Sequence, residues 1–574
     1  MTPRTPISHL LTLALIVALG VVLLWPIYSV VREGFIDEGQ WSLYWFEQVF
    51  DADTGYRSHL LNSLWLALAV TLLCLALSVP LALIAESFRF YGKPVWLSLL
   101  LVPLILPPFV GALGLKGLLA RQGGINLLLV EWGLLAPDQT IDWLAYPFWS
   151  VVALETLSLY PIAFLNVQAA LANIDPAMSE AARNLGAGPW RRFRRITLPL
   201  MRPGLFAGGT IVFIWTFTEI GTPLMVGYRD LAAVQVFDML QTTAPAGDAY
   251  ALVVVLLAMS VVAYAAGKLV LGRSSGQMAV KATVVSEPQP LGPLGSLLAS
   301  LPFAIVFLLA IVPHVGVVLY SVAGRGLIDF DPEHMTLQHH QALLRFELST
   351  GSTGGQAALS VVNSFKLSLL ATALDLLLGF AIAYLVVRRR SWLTGVLDNL
   401  AMLPLAVPGL VLAFGYFALT QGNSPVAFLN PINNDPTPLL VIAYAVRRLP
   451  FIVRSCASGL EQTSVALEEA AENLGAGRLR VMWSVVVPLL AANLIAGSLL
   501  VFSRSMLEVS DSLILAFDKE HYPITKAIWN LAAIPERGTE VASALGVWGM
   551  LLLIVTIAGA SLALGKRLGA LFRV

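Results

Sequence analysis

Glu180-Ala181-Ala182, Gly186 and Ile196-x-Leu198-Pro199 recur farther along the chain as Glu469-Ala470-Ala471, Gly475 and Val485-x-Val487-Pro488. In both places three residues separate the alanine pair from the glycine, and nine separate the glycine from the branched residue. Each copy is a polar island between apolar stretches. Identical spacing at two places argues against coincidence. A membrane chain that repeats one polar loop on one side presents a docking surface twice, which predicts a two-fold partner there.

Composition fixes the solvent of the remainder. Of 574 residues, 57% are hydrophobic and 12% charged, and mean hydropathy is +0.78. A soluble domain of this length could not hide so much apolar surface, so the bilayer is its solvent. Formal net charge is zero, which gives no sign of nucleic-acid binding. Cys74 and Cys456 alone argue against a disulfide framework. The stretch 7–30 is too long for a cleaved signal core and is read as a retained helix.

Crossing hydrocarbon as helix takes about 20 apolar residues. Such stretches are expected near 7–30, 61–86, 95–119, 147–171, 203–226 and 249–271, and again near 295–321, 363–387, 396–419, 438–456, 491–515 and 542–565. Twelve spans result, six in each half. Lys and Arg collect on one set of loops: Arg183, Arg191, Arg192, Arg194 and Arg195, then Arg388 to Arg390, Arg478, Arg480, and the tail with Lys566, Arg567 and Arg573. Positive residues mark the cytoplasmic side, so both termini and both Glu-Ala-Ala loops are expected inside. The loop 31–60 carries Glu33, Asp37, Glu38, Glu47, Asp51 and Asp53 and is expected outside.

The halves align beyond the loops. Asn62-Ser63 matches Asn363-Ser364, and Pro103 and Pro107 match Pro404 and Pro408, all at an offset of 301. From the fourth span onward the offset is 289, pairing Pro161 with Pro450, Phe213 with Phe502 and Glu219 with Glu508. Six spans per half insert both halves the same way up, as parallel repeats. The expected division is a six-helix half over 1–271, a Gly/Pro/Ser-rich linker over 272–293, and a second six-helix half over 294–574.

Glu-Ala-Ala favours a short helix, which the glycine six residues after the glutamate ends. Small alanines permit close approach by another protein, and Glu180 or Glu469 offers a carboxylate. These loops resemble the Glu-Ala-Ala loop of permease subunits in binding-protein-dependent ABC importers, and the likeness extends over nearly the whole chain. Two halves in one chain resemble the ferric-iron, thiamine and phosphonate branch. The second copy departs only in having Val485 and Val487 for Ile and Leu. The resemblance implies an all-α integral membrane protein with the type I importer fold, and ATPase-coupling roles for Glu180, Ala181, Ala182, Gly186, Glu469, Ala470, Ala471 and Gly475. It implies two copies of a cytoplasmic ATPase subunit carrying ATP and magnesium, an extracytoplasmic solute-binding protein, and residence in a bacterial inner membrane. This chain itself has no Gly-x4-Gly-Lys-Ser/Thr phosphate loop, so no ATPase site or cofactor of its own is expected.

Ionisable groups inside spans are costly and commonly face a cavity or a partner. Glu155, Glu219, Arg504, Glu508 and Asp511 are the candidate pathway residues, with Asp375 a further candidate inside a span. Glu219 and Glu508 hold equivalent positions and are expected near the interface of the halves. Arg504 lies four residues before Glu508, and on one helix face the two could neutralise each other. Pro103, Pro107, Pro404 and Pro408 should kink the third and ninth spans. His334, His339 and His340 share an outer loop but lack metal-ligand spacing. Ferric iron is the expected solute, on the resemblance alone; thiamine, phosphonate or another small organic or phosphorylated solute stay open. An ion-gradient-driven secondary transporter is the competing class, and it gives no reason for twin loops.

Overall fold

The computed structural model describes residues 6–241, 247–271, 288–344, 351–422, 424–535 and 537–564. Most of the expected linker, 272–287, and the basic end of the tail lie outside the described residues. Among the described residues the regular structure is helical apart from two two-stranded fragments and one isolated bridge. One of these pairs Phe88-Arg89 with Gln289-Pro290 in parallel.

Nine helices of the first half organise it: α1 (Ser8–Gly34), α2 (Tyr56–Ser87), α3 (Lys93–Leu99), α4 (Pro108–Leu119), α5 (Pro147–Ala172), α6 (Pro176–Asn184), α7 (Arg202–Phe217), α8 (Gly221–Val226) and α9 (Gly247–Leu271). The second half repeats them as α10 (Pro293–Ser321), α11 (Thr353–Arg388), α12 (Trp392–Met402), α13 (Gly409–Leu419), α14 (Thr437–Gln462), α15 (Val465–Asn473), α16 (Val487–Met506), α17 (Ser510–Leu515) and α18 (Gly538–Leu564). Among the described residues eight helices are long and apolar enough to cross a membrane, or eleven when each sharply bent pair counts as one. The counterpart of α5, α14, falls outside that count because it carries Arg447, Arg448, Arg454 and Glu461.

Proline sets the sharpest bends. The third span breaks before α4 by 93°, and the ninth before α13 by 102°. Pro107 and Pro408 stand at the breaks with nearly the same backbone, φ −58° and ψ 138° or 139°. Neither has an N–H to continue the preceding turn, and each fixes the φ from which the new helix starts. These are near right-angle corners rather than kinks.

The first span of each half packs against the other half. Helix α1 lies along α12 and α13, and α10 lies along α4. Glycine makes both crossings possible: a Cβ on Gly114 would strike the backbone of Pro313 to Val317, and one on Gly415 would strike Pro26. Small residues at a crossing let two backbones touch, the usual basis of helix association in lipid. Tyr416 Oη adds a hydrogen bond to Val22 O at 2.9 Å.

The matched Asn-Ser pairs also have a structural reason. Ser63 Oγ accepts from Ala232 N at 3.0 Å, the first amide of a short helix Ala232–Leu240. Ser364 Oγ accepts from Ile524 N at 2.8 Å, heading the corresponding helix Ile524–Ala532. Asn62 and Asn363 donate to the backbone just upstream, at Asp230 O and at Glu520 O and Tyr522 O. Each pair caps an orphan helix end and ties the second span to the segment that follows the fifth.

Candidate functional site

The repeated loops fold alike to the atom. Asp175 opens α6 by accepting from Ala177 N at 2.9 Å, and Ser464 opens α15 by accepting from Ala466 N at 3.3 Å. At the other end Gly186 N bonds Arg183 O and Ala187 N bonds Ala182 O, both at 2.9 Å. Gly475 N bonds Glu472 O at 2.9 Å and Ala476 N bonds Ala471 O at 3.1 Å. This double closure is a Schellman motif, and its turning residue must be left-handed. Gly186 has φ +79° and Gly475 φ +86°. The chain then passes through a π turn, Phe193–Thr197 or Met482–Val486, immediately before Leu198-Pro199 or Val487-Pro488. The amide of Leu198 reaches back five residues to Phe193 O, and that of Val487 to Met482 O. A wider turn there relieves the clash of a proline ring with the carbonyl four residues before it.

Glu180, Ala181, Glu469 and Ala470 lie exposed, with Ala182 and Ala471 half-buried. Sequence reasoning passed over the leucine that precedes each glycine. Leu185 and Leu474 are each 89% exposed at the tip of the loop. The signal was available in the matching runs Asn184-Leu185-Gly186 and Asn473-Leu474-Gly475. Trp190, Leu479 and Trp483 extend the same exposed apolar surface. Leucines held in water on a polar loop make a surface suited to burial against another protein.

The second set of candidates meets where the halves meet. Helix α7 ends at Phe217 and α16 at Met506, and the short helices α8 and α17 follow, all at the 289-residue offset. Glu219 and Glu508 occupy the two breaks. Glu219 Oε1 accepts from Gly221 N at 3.1 Å and Thr222 N at 3.2 Å, and Glu508 Oε1 from Asp511 N at 3.4 Å. At the far end of each short helix a lysine donates to a carbonyl: Lys116 Nζ to Met225 O at 3.1 Å, and Lys526 Nζ to Leu513 O at 2.9 Å. Carboxylate at the amide end and cation at the carbonyl end follow the peptide dipoles.

Helix α16 stops before Glu508, so Arg504 and Glu508 do not share a continuous helix face, and the expected neutralisation is corrected. Arg504 instead places its guanidinium 5.5 Å from the centre of the Trp215 ring on α7. Glu508 is held by two arginines that are not among the candidates expected from sequence. Arg447 Nη1 lies 2.5 Å from Glu508 Oε1 and 3.1 Å from Asp511 Oδ2. Arg448 Nη2 pairs with Glu508 Oε2 and donates to Arg504 O at 3.1 Å. Buried Asp375 on α11 interacts electrostatically with Arg448. The signal for both was Arg447-Arg448-Leu449-Pro450 inside an expected span.

The first half lacks these arginines, with Ser158 and Leu159 at their positions and Thr222 at that of Asp511. Glu155 is buried and interacts electrostatically with Glu219. Among the described residues neither forms an ion pair within 4 Å. Glu219 and Arg447, one from each half, keep a partly accessible edge. Across the interface Gly221 abuts Val509, which brings the two breaks together. The outer histidines do not converge: His339 bonds Ala323 O, His340 bonds Ser321 Oγ, and His334 pairs with Asp329.

Two matching helical repeats, swapped first spans and twin closed loops define a fused membrane-transport subunit. The chain belongs to the family of binding-protein-dependent transport system inner membrane components, whose profile matches residues 78–275 and again 375–568. It is a multi-pass inner membrane protein. It is 27% identical to the ferric transport system permease protein FbpB of Actinobacillus pleuropneumoniae over 507 residues, 87% of this chain and 69% of that protein. A putative ferric transport system permease protein FbpB 1 of Haemophilus influenzae is 28% identical over 464 residues, 79% of this chain and 69% of that protein. The spermidine/putrescine transport system permease protein PotB of Escherichia coli is 33% identical over 162 residues, 28% of this chain and 58% of that protein.

Proposed function

We propose that this chain supplies both membrane-spanning halves of an ATP-driven importer for ferric iron. Residues 1–271 and 294–574 serve as the two halves, and 272–293 joins them on the cytoplasmic side. Loops α6 and α15, both cytoplasmic, seat two copies of an ABC ATPase subunit that bind ATP and magnesium. A solute-binding protein delivers cargo to the opposite face. Glu180, Ala181, Ala182 and Gly186, with Glu469, Ala470, Ala471 and Gly475, form the coupling elements. Closure of the paired ATPases draws these loops together and biases the membrane halves toward the outward-open state, through differential binding to the two states.

The observation that carries the coupling role is the pair of identically closed loops, each holding an exposed leucine beside its left-handed glycine. Ferric iron rests on the likeness, over most of the chain, to ferric transport system permeases. The carboxyl groups of Glu155 and Glu219 lie together at the interface and, among the described residues, have no ion-pair partner within 4 Å, although Arg447 acts on Glu219 from farther off; oxygen ligands of this kind agree with a route for a hard cation.

Replacing Gly186 and Gly475 together by proline tests the coupling. Proline cannot adopt positive φ and has no N–H for the Schellman bond. Membrane insertion is expected to persist while the ATPase no longer co-purifies and uptake is lost; wild-type uptake would sink the assignment. Metal analysis of the solute-binding protein purified with its natural ligand tests the cargo. Iron is expected, and an organic ligand overturns the iron reading while leaving the importer role standing.

A further inference from the structure

The two docking loops are built alike but are not attached alike. Helix α11 runs unbroken for 36 residues and ends at Arg388 beside α15. Arg388 Nε bonds Glu468 Oε1 at 2.7 Å, and the pair is largely buried, at 9% and 11% side-chain exposure. Arg388 Nη2 also donates to Thr463 Oγ1 at 2.8 Å and Thr463 O at 3.2 Å. Tyr384 Oη donates to Glu468 Oε2 at 3.3 Å. One arginine thus grips the entry of α15 and its middle, next to Glu469. At its far end α11 is fixed to the segment heading Ile524–Ala532 through Asn363 and Ser364.

In the first half the corresponding positions are Ser87, Leu83, Ile174 and Ser179. No ion pair can form from that set. Ser179 Oγ instead accepts from Arg192 at 3.2 Å, a contact within the loop region itself. Helix α6 is therefore braced to its own continuation, whereas α15 is braced to a helix that traverses the half.

We propose that Arg388, Glu468, Thr463 and Tyr384 form a clamp that carries ATPase movement from α15 into α11, making the C-terminal loop the stiffer of two unequal drive points. A buried, hydrogen-bonded ion pair holds its geometry where an exposed one would be screened and mobile. The clamp rests on the docking reading, and Glu468 is its positioning residue.

The test uses the full transporter with its ATPase reconstituted in lipid nanodiscs, which leave both faces of the membrane open to solution. A cysteine at Val362, 41% exposed near the far end of α11, is labelled with a membrane-impermeant maleimide with and without ATP plus vanadate. Cys74 and Cys456 are buried, which keeps background low. In the otherwise wild-type chain nucleotide is expected to change the labelling rate. Glu468→Ala or Arg388→Ala should shrink that change by about fivefold or more, the scale of a lost coupling, while the ATPase still co-purifies. The exchange Arg388→Glu with Glu468→Arg should restore it, an outcome that loss of helix stability alone would not give. Ser87→Ala, at the counterpart position, should leave it unchanged. A full nucleotide response in Glu468→Ala, alongside its loss in Gly475→Pro, overturns the clamp and leaves docking intact. A response and co-purification that survive Gly186→Pro with Gly475→Pro overturn docking itself.

Discussion

Glu508 shows how burial turns a charge into a structural commitment. Its carboxylate is 4% exposed and meets Arg447 and Arg448. Removing one partner of a buried pair leaves an uncompensated charge, which costs about 3–5 kcal/mol, whereas replacing the whole set can be neutral. Glu508→Ala should therefore lower the thermal stability of the detergent-solubilised protein strongly. The combination Glu508→Gln, Arg447→Ser, Arg448→Leu, Asp511→Thr and Asp375→Asn should cost far less, because it removes the charged set together and leaves no member buried without its partner. Equal losses in the two variants would refute this account of the cluster. The equivalence of Glu219 and Glu508 could be read from the 289-residue offset. Their surroundings could not, because Arg447 and Arg448 lie some 60 residues upstream on another helix, and spacing along one segment says nothing about a neighbour across the bundle.

At the scale of elements, the docking loop was the most legible part of the molecule. Its alanines, glycine and proline each answer to a local rule of helix start, stop or turn. What the local rules left out was surface: nothing in helix propensity marks Leu185 or Leu474 as solvent-facing, and an isolated leucine reads as core. Their 89% exposure fits the docking role proposed for the loops. Fully burying such a side chain contributes about 1.5–3 kcal/mol. Leu185→Ala and Leu474→Ala should each weaken ATPase binding to the solubilised chain by tenfold or more on that scale, where 1.4 kcal/mol is about tenfold. Titration of the purified ATPase checks it, with unchanged affinity in both variants counting against the loops as the seat. The spans were legible through hydropathy, but the right-angle corners at Pro107 and Pro408 and the breaks at Glu219 and Glu508 were not. A proline or a buried acid marks where a helix is troubled, and neighbouring helices decide how far it turns.

The whole molecule is two repeats, yet it is not two independent bundles. Because α1 lies against the second half and α10 against the first, each half completes its fold with a helix from the other. That exchange was invisible in the sequence, since Gly114 and Gly415 look like ordinary helix glycines until the opposing backbone at Pro313 or Pro26 is in place. The exchange makes the linker dispensable for assembly: residues 1–271 and 294–574 expressed as separate chains should insert and co-purify as one complex. Leucine at Gly114 or Gly415 should abolish that co-purification. A side chain there forces apart two backbones in contact, and the overpacking cost of about 1–3 kcal/mol comes on top of the packing lost along the crossing. In the continuous chain the linker keeps the effective concentration of the halves high, so the same substitutions should give a milder loss, seen as lower thermal stability with the complex still formed. If the split halves fail to associate even with both glycines present, the crossings are too weak to hold the halves, and the covalent linker rather than helix exchange is what keeps the two repeats together.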